Sequence, residues 1–370
     1  MSTLKLKPNQ HLLIKSLVTR GLKQYRRYRS GIFFTKADSP DTIYYKDLER
    51  RKASLDTGRI GKIFFKLTGD KPVKIVENGP STLHRVFRIT SANQDYITRL
   101  SLMNSRYSDP GFFVEKKIVD NLSKIGLMSQ KWHSIDTTRS EIPFDFEIKK
   151  SIKGISLYDT SKKQTIDPKL HYQLGLFVAK VHTIKTDGFG YLDPEAVIFH
   201  NRLKGLHSSW KSYLLINLEK HLMVCQKSGI INNLTRIRIK KIFSQIREKD
   251  ITSQFKPTLL HGDLSNHNAL SKGAKLTGLI DWEDSISGDP VFDISYWGTG
   301  SIGNPTWLSS FIKGYQSQTP FSHDFDYRYW LYYLRIAISK AALRIKLGYN
   351  PTINGFSSSE RIMIGLNYLV

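Results

Sequence analysis

The sequence is short of cysteine, with only Cys225 among its 370 residues. A single cysteine cannot form a disulfide within one chain, so the small disulfide-stabilised folds of secreted proteins are excluded. A chain of this kind suits a reducing compartment, and we expect a cytoplasmic protein. Cys225 stands in the apolar run LMVCQ, which is typical of a buried and unreactive thiol.

Long apolar runs are missing as well. A membrane-spanning helix needs about 20 consecutive, mostly apolar residues, and no stretch of this chain reaches that length. The first residues, MSTLKLKPNQ, place lysines within their apolar patches and show no small-residue cleavage pattern. We therefore expect neither a membrane-spanning protein nor a secretory signal.

Acidic residues are scarce: 32 Asp and Glu face 56 Lys and Arg, for a net charge of +24. This balance favours anionic partners such as a nucleotide, a nucleic acid or an acidic membrane surface. Residues 1–60 hold 14 basic and 5 acidic residues, and residues 12–28 combine that charge with helical spacing of apolar side chains. We interpret residues 1–60 as a basic extension packed on the rest of the protein. Contact with nucleic acid or an anionic membrane, or targeting to an organelle, stays open as the alternative.

Residues 251–300 reverse this balance, because they hold 6 acidic and only 3 basic residues. Carboxylates that lie close together need water or cations around them. The acidic members are Asp263, Asp281, Glu283, Asp284, Asp289 and Asp293.

The pattern of apolar residues changes along the chain. From residue 61 to about 150 it favours short strands, the first of them KIFFKL at 62–67, whereas helical patterns dominate from 151 to 370. The sequence thus predicts an α+β protein of two lobes, a small β-rich N-lobe at 61–150 and a larger, mainly helical C-lobe at 151–370. A ligand is expected between two such lobes.

Short polar side chains cluster after apolar strands in LLHGDLSNHNAL and GLIDWED. Asp263 and Asn268 are five residues apart on a loop, and Asp281 ends a strand of a hairpin that turns near SKGAK. Phosphoryl transfer uses one carboxylate to orient the attacking hydroxyl and an oxygen-rich pair to hold Mg²⁺. Each residue alone has a simpler interpretation as a turn former, but the spacing of all three favours the chemistry.

These two stretches, together with SGDPVFD, resemble the aminoglycoside phosphotransferase and choline kinase-like superfamily, whose fold is related to that of eukaryotic protein kinases. The resemblance spans roughly residues 75–345 and implies a two-lobed protein kinase-like fold. It implies that Asp263 is the catalytic base and that His261 supports the catalytic loop. Asn268 and Asp281 would be the Mg²⁺ ligands. Asp289 and Asp293 would anchor the loop after the metal site.

The same resemblance implies a nucleotide site in the N-lobe. Arg99 stands where kinases usually have lysine, and Glu115 would be its partner carboxylate on a helix. The phosphate-covering loop would include Gly79, Ser81 and Thr82. Backbone groups of a hinge would hold the purine base, so the sequence does not distinguish ATP from GTP. The hinge residues would be Ile148, Lys149, Lys150 and Ser151.

The resemblance implies a kinase that uses Mg²⁺ and ATP or GTP to phosphorylate a hydroxyl of an aminoglycoside, a sugar, an amino alcohol or a related metabolite. A net charge of +24 repels polycations at long range, although the acidic stretch offers them local contacts, so aminoglycosides are not preferred over sugars. The alternative is an inactive kinase-fold binding or regulatory protein, which is motivated by Arg99 and the single glycine of the phosphate loop. Intact Asp263, Asn268 and Asp281 argue against it.

Overall fold

The computed structural model forms two compact units. Unit 1 takes the described residues of ranges 1–28, 40–119 and 130–151, and unit 2 those of ranges 29–39, 120–129 and 152–370. Most strands of unit 1 lie in one sheet, whereas helices dominate unit 2, as expected for a two-lobed α+β protein. The residues that the structure describes are 21–34, 38, 55–78, 84–102, 110–128, 130–162, 165–246, 255–350 and 352–369.

Unit 1 is built on a five-stranded antiparallel sheet in the order β1-β2-β3-β5-β4. Alternate residues of the central strands are apolar and fully buried, including Phe87, Ile89, Leu100 and Ile148, because one face of the sheet packs on a core. The elements are α1 (Thr57–Thr68), β1 (Pro72–Glu77), β2 (His84–Ser91), β3 (Asp95–Ser101), α2 (Gly111–Lys124), β4 (Trp132–Asp136) and β5 (Phe146–Lys150).

The strand predicted at residues 62–67 is wrong, because these residues lie in α1. The side chain of Asp56 caps the helix N-terminus by accepting from the Arg59 N–H at 2.7 Å. Gly69 ends the helix at φ 72°, a left-handed conformation that favours glycine. The short run KIFFKL fits a strand or a helix, and the two caps decide for the helix. The buried residues of α1 recur at helical spacing: Ile60, Ile63 and Phe64.

The helices of unit 2 pack closely around the long α11. Helices α7, α9 and α12 all contact it, and α4 packs along α10. Glycine permits the α4–α10 approach: a Cβ on Gly175 would lie 2.1 Å from the Phe311 carbonyl oxygen. The helices are α3 (Leu157–Ser161), α4 (Pro168–Val181), α5 (Pro194–His200), α6 (Trp210–Leu215), α7 (Leu218–Lys227), α8 (Asn233–Gln245), α9 (Pro290–Ser301), α10 (Pro305–Gln316), α11 (Phe325–Leu347) and α12 (Ser358–Asn367).

None of the described helices, the 23-residue α11 included, is apolar enough over a sufficient length to cross a membrane. Cys225 is a free and fully buried cysteine on α7. Burial raises the pKa of its thiol to about 12, so the thiol stays protonated. The prediction that Cys225 is buried is confirmed.

Two small antiparallel sheets complete unit 2, in the orders β8-β7-β12-β9 and β11-β10-β6. The hairpin predicted near SKGAK is formed by β10 and β11, in which Ala269 faces Leu279. The strand before Asp263 is β9, which pairs with β12 in the other sheet. The strands are β6 (Ile155–Ser156), β7 (Phe189–Leu192), β8 (Gly205–His207), β9 (Thr258–Leu260), β10 (Ala269–Lys272), β11 (Lys275–Leu279) and β12 (Ile286–Gly288).

Candidate active site

The loop that carries Asp263 connects β9 to β10 and bends sharply at Gly262. This glycine has φ 79°, and a Cβ on it would lie 2.0 Å from the Asp284 carbonyl oxygen. Only glycine fits such a close approach of two backbone segments. The glycine of the His-Gly-Asp sequence is therefore a steric requirement of this turn.

Asp293, on α9, fixes the start of this loop through hydrogen bonds to its backbone. Its carboxylate accepts from the N–H groups of His261 at 2.7 Å and Gly262 at 3.0 Å. His182 Nε2 lies 3.3 Å from the same carboxylate, and Asp293 is fully buried. Burial alone would raise the pKa of Asp293, but the hydrogen bonds from His182 and the Gly262 N–H hold it below its ordinary value. His182 is thus a buried partner of the Asp293 carboxylate.

Asp289 has a different partner set. Its carboxylate accepts from the Val291 N–H at 3.0 Å, which caps α9, and from Arg328 at 2.6 Å and Tyr332 at 2.7 Å on α11. Burial raises the pKa of Asp289 despite Arg328. Both aspartates were predicted to anchor the loop after the metal site. Asp293 instead holds the loop that carries Asp263. Asp289 stands at the end of the later loop and ties it to α11.

His261 links the loop to the end of β11. Its Nδ1 accepts from the Asp263 N–H at 3.3 Å, and its Nε2 donates to the Ile280 carbonyl oxygen at 3.0 Å. These two bonds together assign the neutral tautomer with the proton on Nε2. The ring also packs on Trp282, with centroids 4.5 Å apart. The geometry is that of the loop support predicted for His261.

Replacement of His261 by alanine is expected to lower the free energy of unfolding by about 2 to 3 kcal/mol. Two side-chain hydrogen bonds are lost, each worth about 1 kcal/mol net, and a void opens next to Trp282. Urea unfolding measures the change. His200→Ala, at an exposed position at the end of α5, is the control. Equal stability of the two variants would contradict the supporting role.

Asn268 and Asp263 contact each other within the loop. The Asn268 amide donates to the Asp263 carbonyl oxygen at 2.9 Å and lies 3.4 Å from its Oδ2. Because the amide nitrogen faces Asp263, the side chain presents Oδ1 as the atom available to a cation. The other carboxylate oxygen of Asp263, Oδ1, accepts from the Tyr296 hydroxyl at 2.5 Å.

Asp281 follows β11 and begins a short 3₁₀ turn with φ 67°, in the left-handed region. The β10–β11 hairpin brings it to the same end as Asn268, since the Ile280 N–H donates to the Asn268 carbonyl oxygen at 3.0 Å. One carboxylate and one amide oxygen are ligands that Mg²⁺ accepts. In the described part of the chain no group of three or more His, Cys, Asp or Glu side chains could hold a metal ion.

Unit 1 contains a second polar site, a cluster of buried charged side chains on one face of its five-stranded sheet. Arg99 on β3 pairs with Glu115 of α2, as predicted, and its Nε also bonds Glu147 Oε1 at 2.5 Å. Lys149 lies 2.9 Å from Glu147 and 3.6 Å from Glu115. Burial would raise the pKa of Glu147, but Arg99 and Lys149 hold it below its ordinary value. Two cations and two carboxylates thus balance each other within this cluster.

Glu147 and the side-chain role of Lys149 were missed by the sequence prediction. Both side chains point to one face of β5 because they are two residues apart, and Glu147 stands directly opposite Arg99. The signal for a buried polar cluster is the alternation of the charged residues Glu147 and Lys149 with the apolar Phe146 and Ile148. Trp132 completes it, because its indole N–H donates to Glu147 at 2.8 Å.

The predicted hinge residues lie at the end of β5, which is paired on both sides. The N–H groups of Lys150 and Ser151 donate to the carbonyl oxygens of Lys131 at 2.8 Å and Asp95 at 2.9 Å. These donors are therefore engaged in unit 1, and a base-binding role for Ile148–Ser151 stays a prediction. Gly79, Ser81 and Thr82 lie outside the described residues.

Comparisons with solved structures place the fold among kinase-like phosphotransferases. A ternary complex of a thermostable aminoglycoside phosphotransferase APH(4)-Ia mutant has 14% identity and a TM-score of 0.58, covering 85% of this chain and 97% of that one. A candidate fructosamine-3-kinase from Thermobifida fusca has 15% identity and a TM-score of 0.59, covering 85% and 99%. A candidate aminoglycoside phosphotransferase from Ralstonia eutropha has 17% identity and a TM-score of 0.58, covering 85% and 98%. A search among curated proteins finds no match.

The fold is thus that of the two-lobed, kinase-like phosphotransferases. The model of the phosphotransferase enzyme family matches residues 74–329, more than half of the chain. The chain belongs to that family, as its His-Gly-Asp and Ile-Asp-Trp-Glu motifs predict.

Proposed function

We propose that this protein transfers the γ-phosphoryl group of ATP or GTP to a hydroxyl of a small molecule, with Asp263 as the base. The observation that supports it best is the arrangement of the β9–β10 loop. Asp263 and Asn268 are in contact, Asp281 lies at the adjacent hairpin end, and Asp293 fixes the backbone below. Related structures hold AMP-PNP or ADP together with hygromycin B, which supports a nucleotide and a small-molecule acceptor.

In this reaction Asp263 accepts or orients the proton of the acceptor hydroxyl. A bond forms between that oxygen and the γ-phosphorus as the bond from phosphorus to the bridging oxygen breaks, and the nucleoside diphosphate leaves. Asn268 Oδ1 and Asp281 would hold Mg²⁺, which neutralises charge on the phosphates. Arg99, oriented by Glu115, would supply a cation for the phosphates.

The charges around the loop favour an acceptor with few positive charges. Three of the six carboxylates in residues 251–300 are buried and already have partners: Asp284 with Arg29, Asp289 with Arg328 and Asp293 with His182. A polycation gains little from buried carboxylates that are already ion-paired or hydrogen-bonded. A sugar or a sugar-like metabolite therefore fits better than a polycationic aminoglycoside.

The function is tested by transfer of labelled γ-phosphate from ATP and from GTP, with Mg²⁺ present or chelated. Separate arms offer hygromycin B, a fructosamine and neutral sugars as acceptors. We expect labelled product from a neutral or singly charged acceptor and none after chelation. Product from hygromycin B alone would contradict the acceptor class, and no Mg²⁺-dependent product from any hydroxyl compound would contradict the function.

Replacement of Asp281 by asparagine is expected to lower turnover by about 10²-fold and to raise the Mg²⁺ concentration needed for half-maximal rate. The substitution keeps the shape of the side chain but removes the charge that attracts the cation. A titration of the transfer rate with Mg²⁺ measures both effects. A parent-like Mg²⁺ dependence in Asp281→Asn would assign the metal to other residues.

A further inference from the structure

The segment formed by residues 29–34 and 38, here called the docked segment, belongs to unit 2 although it precedes the family match at 74–329. Its ionic anchor is Arg29, whose guanidinium lies 3.0 Å from the Asp284 carboxylate. Both side chains are 4% exposed, and the guanidinium also lies over the Tyr191 ring at 4.7 Å. Since the Asp284 backbone abuts Gly262, the segment is fixed next to the loop that carries Asp263.

Asp38 is the second anchor. Its Oδ2 accepts from the N–H groups of Phe33 at 3.0 Å and Phe34 at 3.2 Å, which ties Asp38 to these two residues. Its Oδ1 lies 2.9 Å from the Asn217 amide and 3.0 Å from His221 Nε2. Burial would raise the pKa of Asp38, and the contacts with His221 and with the two N–H groups hold it below its ordinary value.

The two anchors place aromatic rings against the catalytic loop. Phe34 packs on Tyr296, with ring centroids 6.2 Å apart, and Lys340 places its ammonium 3.6 Å from the Tyr296 ring centroid. Both Phe34 and Tyr296 line a narrow pocket that reaches Gly262. Tyr296 is only 3% exposed, so its ring has little freedom, and its hydroxyl donates to Asp263 Oδ1 at 2.5 Å.

We propose that Tyr296 is a positioning residue of the phosphotransfer reaction, which orients the Asp263 carboxylate, and that the docked segment holds the Tyr296 ring in place. This inference rests on the proposed function of Asp263. It gives the docked segment a role within unit 2. For the first 60 residues as a whole, the sequence had left targeting or binding to an anionic surface open as the alternative.

The hydrogen bond from the Tyr296 hydroxyl fixes Oδ1 of the Asp263 carboxylate and thereby also sets the direction of Oδ2. With Oδ1 held by Tyr296, the Asp263 carboxylate cannot rotate freely, and Oδ2 is the oxygen that meets the acceptor proton. Burial and the neighbouring Asp263 raise the pKa of Tyr296 well above its ordinary value, so the phenol keeps its proton and acts as a donor. Orientation of a base in this way affects the rate and leaves nucleotide binding unchanged.

The test is Tyr296→Phe, measured in parallel with the parent and Asp263→Asn. The assay follows the release of inorganic phosphate from ATP or GTP in the presence of Mg²⁺. We expect kcat of the Asp263-dependent turnover to fall about tenfold, with the KM for nucleotide unchanged, because one charge-assisted hydrogen bond is lost. Tyr333→Phe removes another buried hydroxyl, one on α11, and controls for a general effect on packing. We expect parent-like kcat from it.

A Tyr296→Phe variant with the kcat of the parent would overturn this inference and leave the proposed function standing. A parent no faster than Asp263→Asn would overturn both. Phe34→Leu tests the docked segment: we expect a two- to fivefold fall in kcat with unchanged KM, since the ring behind Tyr296 is lost. Phe199→Leu, at a half-exposed position on α5, is its control. Equal kcat in these two variants would remove the docked segment from the proposal.

Discussion

Asp263→Asn is expected to lower the rate of phosphoryl transfer by about 10²- to 10⁴-fold, the range that a general base contributes. Asparagine has nearly the same shape but cannot accept the hydroxyl proton. Its single oxygen can still accept from the Tyr296 hydroxyl, whereas the amide nitrogen takes the place of Oδ2 and the long 3.4 Å contact with the Asn268 amide is lost. The Asn268 amide still donates to the backbone carbonyl oxygen of residue 263, so the loop should keep its conformation. Single-turnover transfer from labelled ATP or GTP measures the loss separately from nucleotide binding.

The matched control is Asp187→Asn, because the Asp187 side chain is 64% exposed. We expect parent-like transfer from this control and parent-like unfolding from both variants. Residual transfer by Asp263→Asn above a few per cent of the parent would mean that positioning and charge neutralisation carry the reaction, with no base at this position. The inactive, regulatory interpretation requires that the parent and Asp263→Asn behave alike.

The centre of the site could be predicted from the sequence because its residues are close along the chain. Asp263, Asn268 and Asp281 lie within 19 positions, and a β-hairpin brings neighbouring positions together by local pairing. Arg99 and Glu115 could be paired because the family pattern supplies a partner for the strand cation. In both cases the functional side chains and the elements that position them lie within a short segment of the sequence.

Tyr296 and the docked segment could not be predicted in the same way. Arg29 and Asp284 are 255 residues apart, and nothing in the local sequence of either marks the other as its partner. In the sequence, Tyr296 is one of several aromatic residues of an apolar helix. Its contact with Asp263 is formed only in the folded protein. One role was predicted for both Asp289 and Asp293 for the same reason: both lie in GDPVFD, but their carboxylates contact different elements.

Asp293→Ala should destabilise the protein by about 3 to 5 kcal/mol, the range expected when one partner of a buried charged network is removed. The N–H groups of His261 and Gly262 lose their acceptor inside the protein, and His182 loses its carboxylate partner. An unsatisfied buried donor costs about 1 to 3 kcal/mol on its own. Urea unfolding followed by tryptophan fluorescence measures the loss.

Asp293→Asn separates charge from hydrogen bonding at this position. Asparagine retains one oxygen that can accept from a backbone N–H, so we expect a smaller loss than for Asp293→Ala, together with a reduced transfer rate because the start of the loop is held less firmly. Asp187→Ala provides the exposed control and should change stability by less than about 0.5 kcal/mol. If Asp293→Ala were as stable as this control, the buried carboxylate would not be what fixes the loop. The conformation of the Asp263 loop would then depend on the Gly262 turn, the His261 bonds and the contacts of Asp263 with Asn268 and Tyr296.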